Sequence, residues 1–207
     1  VVFGESIYAI SYMALYDPQY IPTIMKLIID NGTSDDDFLR TFIIRSLLVL
    51  TEDQKICKAI ADFKENISEI VTFSILVEPE NPEACGDNDE AFSRTEAVRC
   101  LGYAVDLIHT IVTKCPVLLP SCHMQWYETA VVLMDYIVTE IIISAANTAT
   151  DFILFYQQQG VSVEIEPFIE MCASLVIDED PDISNTIKES ISRLRAAHLD
   201  IQIDDYL

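Results

Sequence analysis

Apolar residues along this chain recur with the period of an α-helix. They fall in blocks of helical length at residues 4–15, 19–30, 36–51, 54–77, 89–112, 124–156, 165–177 and 181–198, and the 124–156 block is long enough for two helices. Between them lie stretches rich in Pro, Gly, Asn and Asp, such as "YDPQYIP" (16–22), "DNGTSDDD" (30–37), "VEPENPEACGDNDE" (77–90), "KCPVLLPSC" (114–122), "QQQGVSVEIEP" (157–167) and "IDEDPD" (177–182). These read as loops or helix starts. Strand-like alternation is confined to the short stretches "VSVEIE" (161–166) and "IQI" (201–203). The pattern predicts an all-α protein.

One ladder repeats. The positions i, i+3, i+4, i+7, i+8 and i+11 share a helix face. They read Leu39, Phe42, Ile43, Ser46, Leu47, Leu50 in one block and Ile183, Thr186, Ile187, Ser190, Ile191, Leu194 in another. A third copy reads Ser93, Glu96, Ala97, Cys100, Leu101, Ala104. Each carries a small residue at i+7, where a neighbouring helix can approach closely, and Leu or Ile at i+8. Asp residues precede the first and last of these helices, where they cap free N–H groups and favour the helix dipole. Arg40 and Arg94 follow the first ladder position in two of the three. The face predicts Leu47 and Ile191 in the core.

These residues carry a resemblance. "DPDISNTIKESISRL" (180–194) resembles the second helix of a HEAT repeat, and "DDFLRTFIIRSLLVL" (36–50) and "FSRTEAVRCLGYA" (92–104) are similar to it. "PQYIPTIMKLIIDNG" and "EPFIEMCASLVID" stand where first helices belong, which gives units over 18–51 and 164–198, while "SIYAISYMAL" looks like a second helix. The chain departs from the family pattern at Ser184, which replaces an Arg, and at Glu96, which occupies a usually apolar position. The resemblance implies an α-solenoid of stacked antiparallel helix pairs, one domain over 1–207 with about four or five pairs. It also implies a scaffold that holds protein partners, similar to importin-β-like transport receptors, with phosphatase scaffolds and cohesin or condensin subunits as alternatives. The chain opens already apolar and without an initiator Met, and reads as a piece of a longer protein.

Charge sharpens the functional reading. Thirty-four acids against twelve bases give a formal net charge of −22. No Lys or Arg occurs from Cys115 to Ile187, and none from 65 to 93. Such a surface repels nucleic acid and anionic membrane and attracts basic protein segments. The acids that lead the list for binding such a partner are Glu164, Glu166, Asp178, Glu179, Asp180 and Asp182. The plainer reading is that the acids keep an apolar chain soluble.

Chemistry is sparsely signalled. Asp178, Asp180, Asp182 and Glu189 have the 1-3-5-12 spacing of a calcium loop, but Ile183 stands where that loop needs Gly, and the helical ladder already begins there. "DDDFL" (35–39) and "NDEAFSRTE" (88–96) resemble the magnesium motifs of terpenoid synthases, but the second has the wrong spacing. Cys115, Cys122 and His123 match no common zinc spacing, and His109 and His198 lack a paired Glu. There is no Gly-rich phosphate loop and no nucleophile elbow. No catalytic residue, cofactor site or metal site is expected, and a small-molecule substrate is not; a helical metal-dependent enzyme is the remaining competitor. Trp126 and Tyr127 read as core. The six cysteines sit mostly in apolar runs and read as buried reduced thiols, which places the protein in cytoplasm or nucleus.

Overall fold

The computed structural model describes residues 2–76 and 95–199, and ten α-helices and no strand lie among them. They are α1 (Val2–Tyr16), α2 (Ile21–Asn31), α3 (Asp37–Thr51), α4 (Gln54–Ala59), α5 (Lys64–Leu76), α6 (Glu96–Lys114), α7 (His123–Leu133), α8 (Thr139–Gln159), α9 (Glu166–Leu175) and α10 (Pro181–Ala196). The acidic stretch 77–90, the helix start expected at 89, Cys85, Ser93, Arg94 and "IQI" lie outside the described residues.

Local chemistry sets the helix starts. The Asp36 carboxylate accepts the Leu39 N–H at 3.2 Å, Asp53 accepts that of Lys55 at 2.6 Å, and the Thr95 hydroxyl accepts that of Val98 at 3.4 Å. Pro stands in the first turn of α2, α9 and α10, where its missing N–H costs nothing. α8 stops at Gly160, whose φ of +68° suits a residue without a Cβ. One sequence expectation is corrected. The block 54–77 is not one helix: it turns at Ile60 through a 3₁₀ segment, Ala61–Phe63, between α4 and α5. Within 157–167 the chain forms the loop and helix start its residues suggest: 161–165 have no regular structure and Glu166 begins α9.

The chain divides into two compact units, Val1–His123 and Met124–Leu207. In the first, α3 packs between α1 and α6. Phe42 meets Gly4 and Arg45 meets Tyr8, so α1 and α3 run parallel, 38 and 37 positions apart. Between α3 and α6, Thr41 donates to the Glu96 carbonyl and the Cys115 sulfur lies against the Thr51 carbonyl, so these two are parallel as well, 55 to 64 positions apart. The larger offset reflects α4 and its 3₁₀ turn together with the additional stretch 77–94, all of which lie between α3 and α6 in the chain. α2 and α5 touch one another and flank this row. Their approach is close at Gly32, where an added Cβ would fall 2.3 Å from the Ile70 side chain.

In the second unit α10 packs on α8 and α9. Thr139 donates to Asp180, Arg193 pairs with Asp151, and Gln157 donates to the Ala197 carbonyl. These ties join start to start and end to end, with separations of 41, 42 and 40 residues. α8 and α10 are therefore parallel, with α9 running back between their connections.

The ladders point inward. Ile43, Ser46, Leu47 and Leu50 are buried, as are Ile183, Ile187, Ser190, Ile191 and Leu194, and so are Cys100, Leu101 and Ala104. Leu39, Phe42 and Thr186 are half-buried. Trp126 and Tyr127 are core residues. One pair of cysteines departs from the reduced-thiol reading: Cys57 and Cys115 are joined in a disulfide that pins α4 to the end of α6. Cys100 and Cys172 are buried free thiols, and Cys122 is a half-buried one beside Ser68. Among the described residues no helix is long and apolar enough to cross a membrane.

Candidate functional site

The six acids singled out by sequence gather around α9, but not at one point. Glu164 and Glu166 sit at its start, and Asp178, Glu179, Asp180 and Asp182 follow its end. Ten residues of helix separate the two groups by about 15 Å. The structure therefore gives two acidic edges in place of one patch.

The acids also divide by what their carboxylates do. Asp178 accepts the Asp180 N–H at 2.8 Å and closes the turn into α10. Asp180 caps α10 through the Asp182 N–H at 2.9 Å, and its other oxygen accepts the Thr139 hydroxyl at 3.0 Å. Both are half-buried. These two hold the fold. Glu164, Glu166, Glu179 and Asp182 are exposed, and no side chain of the described residues is recorded bonding their carboxylates. Sequence reasoning placed all six together because it saw acids; the Thr139 partner lies 41 residues away and leaves no local signal.

The supports beneath the first edge are neutral. The Tyr127 hydroxyl donates to the Glu164 carbonyl at 2.9 Å, and burial, joined by the nearby Cys172, Glu166 and Glu164, raises its pKa well above the ordinary tyrosine value. Burial likewise pushes Tyr156 up to about 12, with a contribution from Glu128, and Cys172 up to about 12. A buried thiol held protonated is no nucleophile at neutral pH. Among the described residues no three His, Cys, Asp or Glu gather where they could hold a metal ion. Residues 181–189 are helical, so the supposed calcium loop has no loop, and Glu189 is an exposed mid-helix residue. The exposed carboxylates of Glu164, Glu166, Glu179 and Asp182 offer negative charge and hydrogen-bond acceptors at the surface.

Sequence reasoning missed a second constellation. The Arg45 guanidinium lies 4.3 Å over the Tyr8 ring, 5.5 Å from that of Phe42 and 5.6 Å from that of Tyr103. The Tyr8 and Tyr12 hydroxyls are bonded at 2.9 Å. That bond, and then Arg45, lowers the Tyr8 pKa, while the same bond raises that of Tyr12. The only local hints were Tyr8 and Tyr12 one turn apart and Phe42 three residues before Arg45.

Comparison of the chain with protein-family models, curated proteins and solved structures finds no match. The described residues define an all-helical protein, in which α1, α3 and α6 run parallel in one unit and α8 and α10 in the other.

Proposed function

We propose that this chain is a protein-binding scaffold of stacked, HEAT-like helix pairs, and not an enzyme. Its exposed acids flanking α9 recognise a basic segment of another protein. The observation that carries the reading is the ladder of ties between α8 and α10, at separations of 41, 42 and 40 residues, which is the spacing of a two-helix repeat. The parallel row of α1, α3 and α6 supports it. Repeats stacked in this way give extended surfaces that suit protein partners better than enclosed sites suit substrates.

Charge supports the choice of partner. Glu164, Glu166, Glu179 and Asp182 project from a stretch, Cys115–Ile187, with no Lys or Arg to neutralise them. A Lys- or Arg-rich segment would associate faster for this charge, and more so at low salt. Transport receptors with basic cargo remain the nearest analogy. The cytoplasmic or nuclear setting has less support beside a Cys57–Cys115 bridge, because disulfides persist mainly in oxidising compartments.

The test is a comparison at matched charge. One variant carries Glu164→Gln, Glu166→Gln, Glu179→Gln and Asp182→Asn. A control neutralises four exposed acids of the first unit, Glu5, Asp30, Asp35 and Asp62. Stopped-flow association with a synthetic lysine- and arginine-rich peptide should slow in the first variant, with a flatter salt dependence, and change little in the control. Equal slowing in both would make the acids a general solubility device.

A further inference from the structure

In a chain with 34 acids for 12 bases, a structural arginine has carboxylates to choose from. Among the described residues Arg40 pairs with Asp37, Arg99 with Glu96 and Arg193 with Asp151. Arg45 is held differently. Among the described residues no carboxylate is recorded within ion-pair distance of it, and three rings from three helices, Tyr8 of α1, Phe42 of α3 and Tyr103 of α6, hold its guanidinium in their place.

That arrangement prepares a ligand position. Ring stacking fixes the plane of a guanidinium without using all of its N–H donors. Arg has five such donors, and the Tyr8 hydroxyl beside it satisfies at most one or two. The remaining edge suits a carboxylate, which a planar fork binds through two parallel hydrogen bonds. A lysine could not reproduce this geometry.

The surroundings define the rest of the ligand. Phe38, Phe42 and Arg45 follow one another at helix-face spacing along α3, and Phe38 is 49% exposed. Tyr12, 41% exposed, extends the surface over α1. Tyr, Phe and Arg are enriched at the centres of protein interfaces, and Tyr and Arg dominate binding hot spots. Two chemistries are disfavoured. A polyacidic segment meets the net charge of −22 and Glu52 close by. A basic segment meets Arg45 itself.

We propose that the face formed by Tyr8, Tyr12, Phe38, Phe42, Arg45 and Tyr103 docks a partner segment that presents a single carboxylate beside apolar side chains. This face is chemically unlike the acidic edges of α9 and does not depend on their role.

A random peptide library displayed on phage is selected on the wild-type protein and counter-selected on Arg45→Ala. Selected peptides should carry one Asp or Glu next to Leu, Ile or Phe. The affinity of a labelled selected peptide, read by fluorescence anisotropy, should fall about tenfold or more in Arg45→Lys, the loss expected when a charge-assisted paired hydrogen bond is broken. Replacing the peptide's Asp by Asn should cause a similar loss on unaltered protein, which keeps the result independent of how the variants fold. Failure to enrich any peptide over the counter-selection overturns the proposal. So does enrichment of peptides without an acid, or equal affinity for wild type and a folded Arg45→Lys.

Discussion

α3 and α10 carry the same ladder and bury it in the same way, yet they are held differently. Off the ladder, α3 has Ile44 and Val49, both buried, and α1 and α6 cover it from two sides. Off the ladder, α10 has Asp182, Asn185, Lys188, Glu189 and Ser192, all exposed. Polar ties to α8 at Thr139, Asp151 and Gln157 fix its register. The ladder says which face turns inward. The residues between its rungs say how many neighbours the helix has.

Truncating a rung should expose this difference most. Leu47 and Ile191 are both fully buried. Leu47→Ala should cost near the top of the range of about 2–5 kcal/mol for such truncations, and Ile191→Ala nearer the bottom, because α10 has an open side toward which it can relax. Denaturant melts check the order. A larger loss at Ile191 would mean that neighbour number has been misread from the off-ladder residues.

The disulfide comes next. Cys57 and Cys115 close a loop of 58 residues, for which chain entropy gives about 4 kcal/mol. Nothing comparable links α8 and α10. Reduction, or a Cys57→Ser Cys115→Ser double variant, should therefore destabilise the first unit, while ties such as Thr139–Asp180 survive it. Thiol titration in denaturant should find two fewer free thiols before reduction than after.

Alkali should act on the second unit. Tyr156 and Cys172 have folded-state pKa values raised to about 12 from 10.0 and 9.0, so the unfolded chain releases these protons first. Their contribution is complete below pH 9 and is lost as pH rises from 9 toward 12, at no more than about 1.4 kcal/mol per pH unit for each group. Tyr156→Phe with Cys172→Ala should flatten the decline in stability over that window. An unchanged slope would mean that the two groups titrate alike in the folded and unfolded protein.

The smallest effects separate the acids. Asp180→Ala removes a helix cap and the Thr139 bond and should cost about 1 kcal/mol, whereas Glu179→Gln should stay within about 0.5 kcal/mol. Equal costs would dissolve the division between acids that hold the fold and acids that are free to bind.

Much of this was legible in advance. The helical blocks, the break within 124–156 and the buried rungs all follow from apolar periodicity and turn residues. The break at Ile60 did not show, because apolar spacing continues across it and only the backbone turns. The disulfide did not show, because Cys57 and Cys115 sit in apolar runs that read equally well as plain core. At the acidic site the residue types were legible, but the roles of Asp178 and Asp180 as turn and cap partners depend on N–H groups and a Thr139 hydroxyl that folding brings to them. The Arg45 cluster needed three helices to be placed side by side before it existed.

The repeat reading stands on the parallel register of α8 and α10, and methyl-labelled NMR tests it directly. An offset of 41 residues puts Ile142 beside Ile183 and Ile153 beside Leu194. The account predicts methyl–methyl Overhauser contacts within each of those pairs. Contacts between Ile142 and Leu194 and between Ile153 and Ile183 in their place would make the helices antiparallel and contradict it.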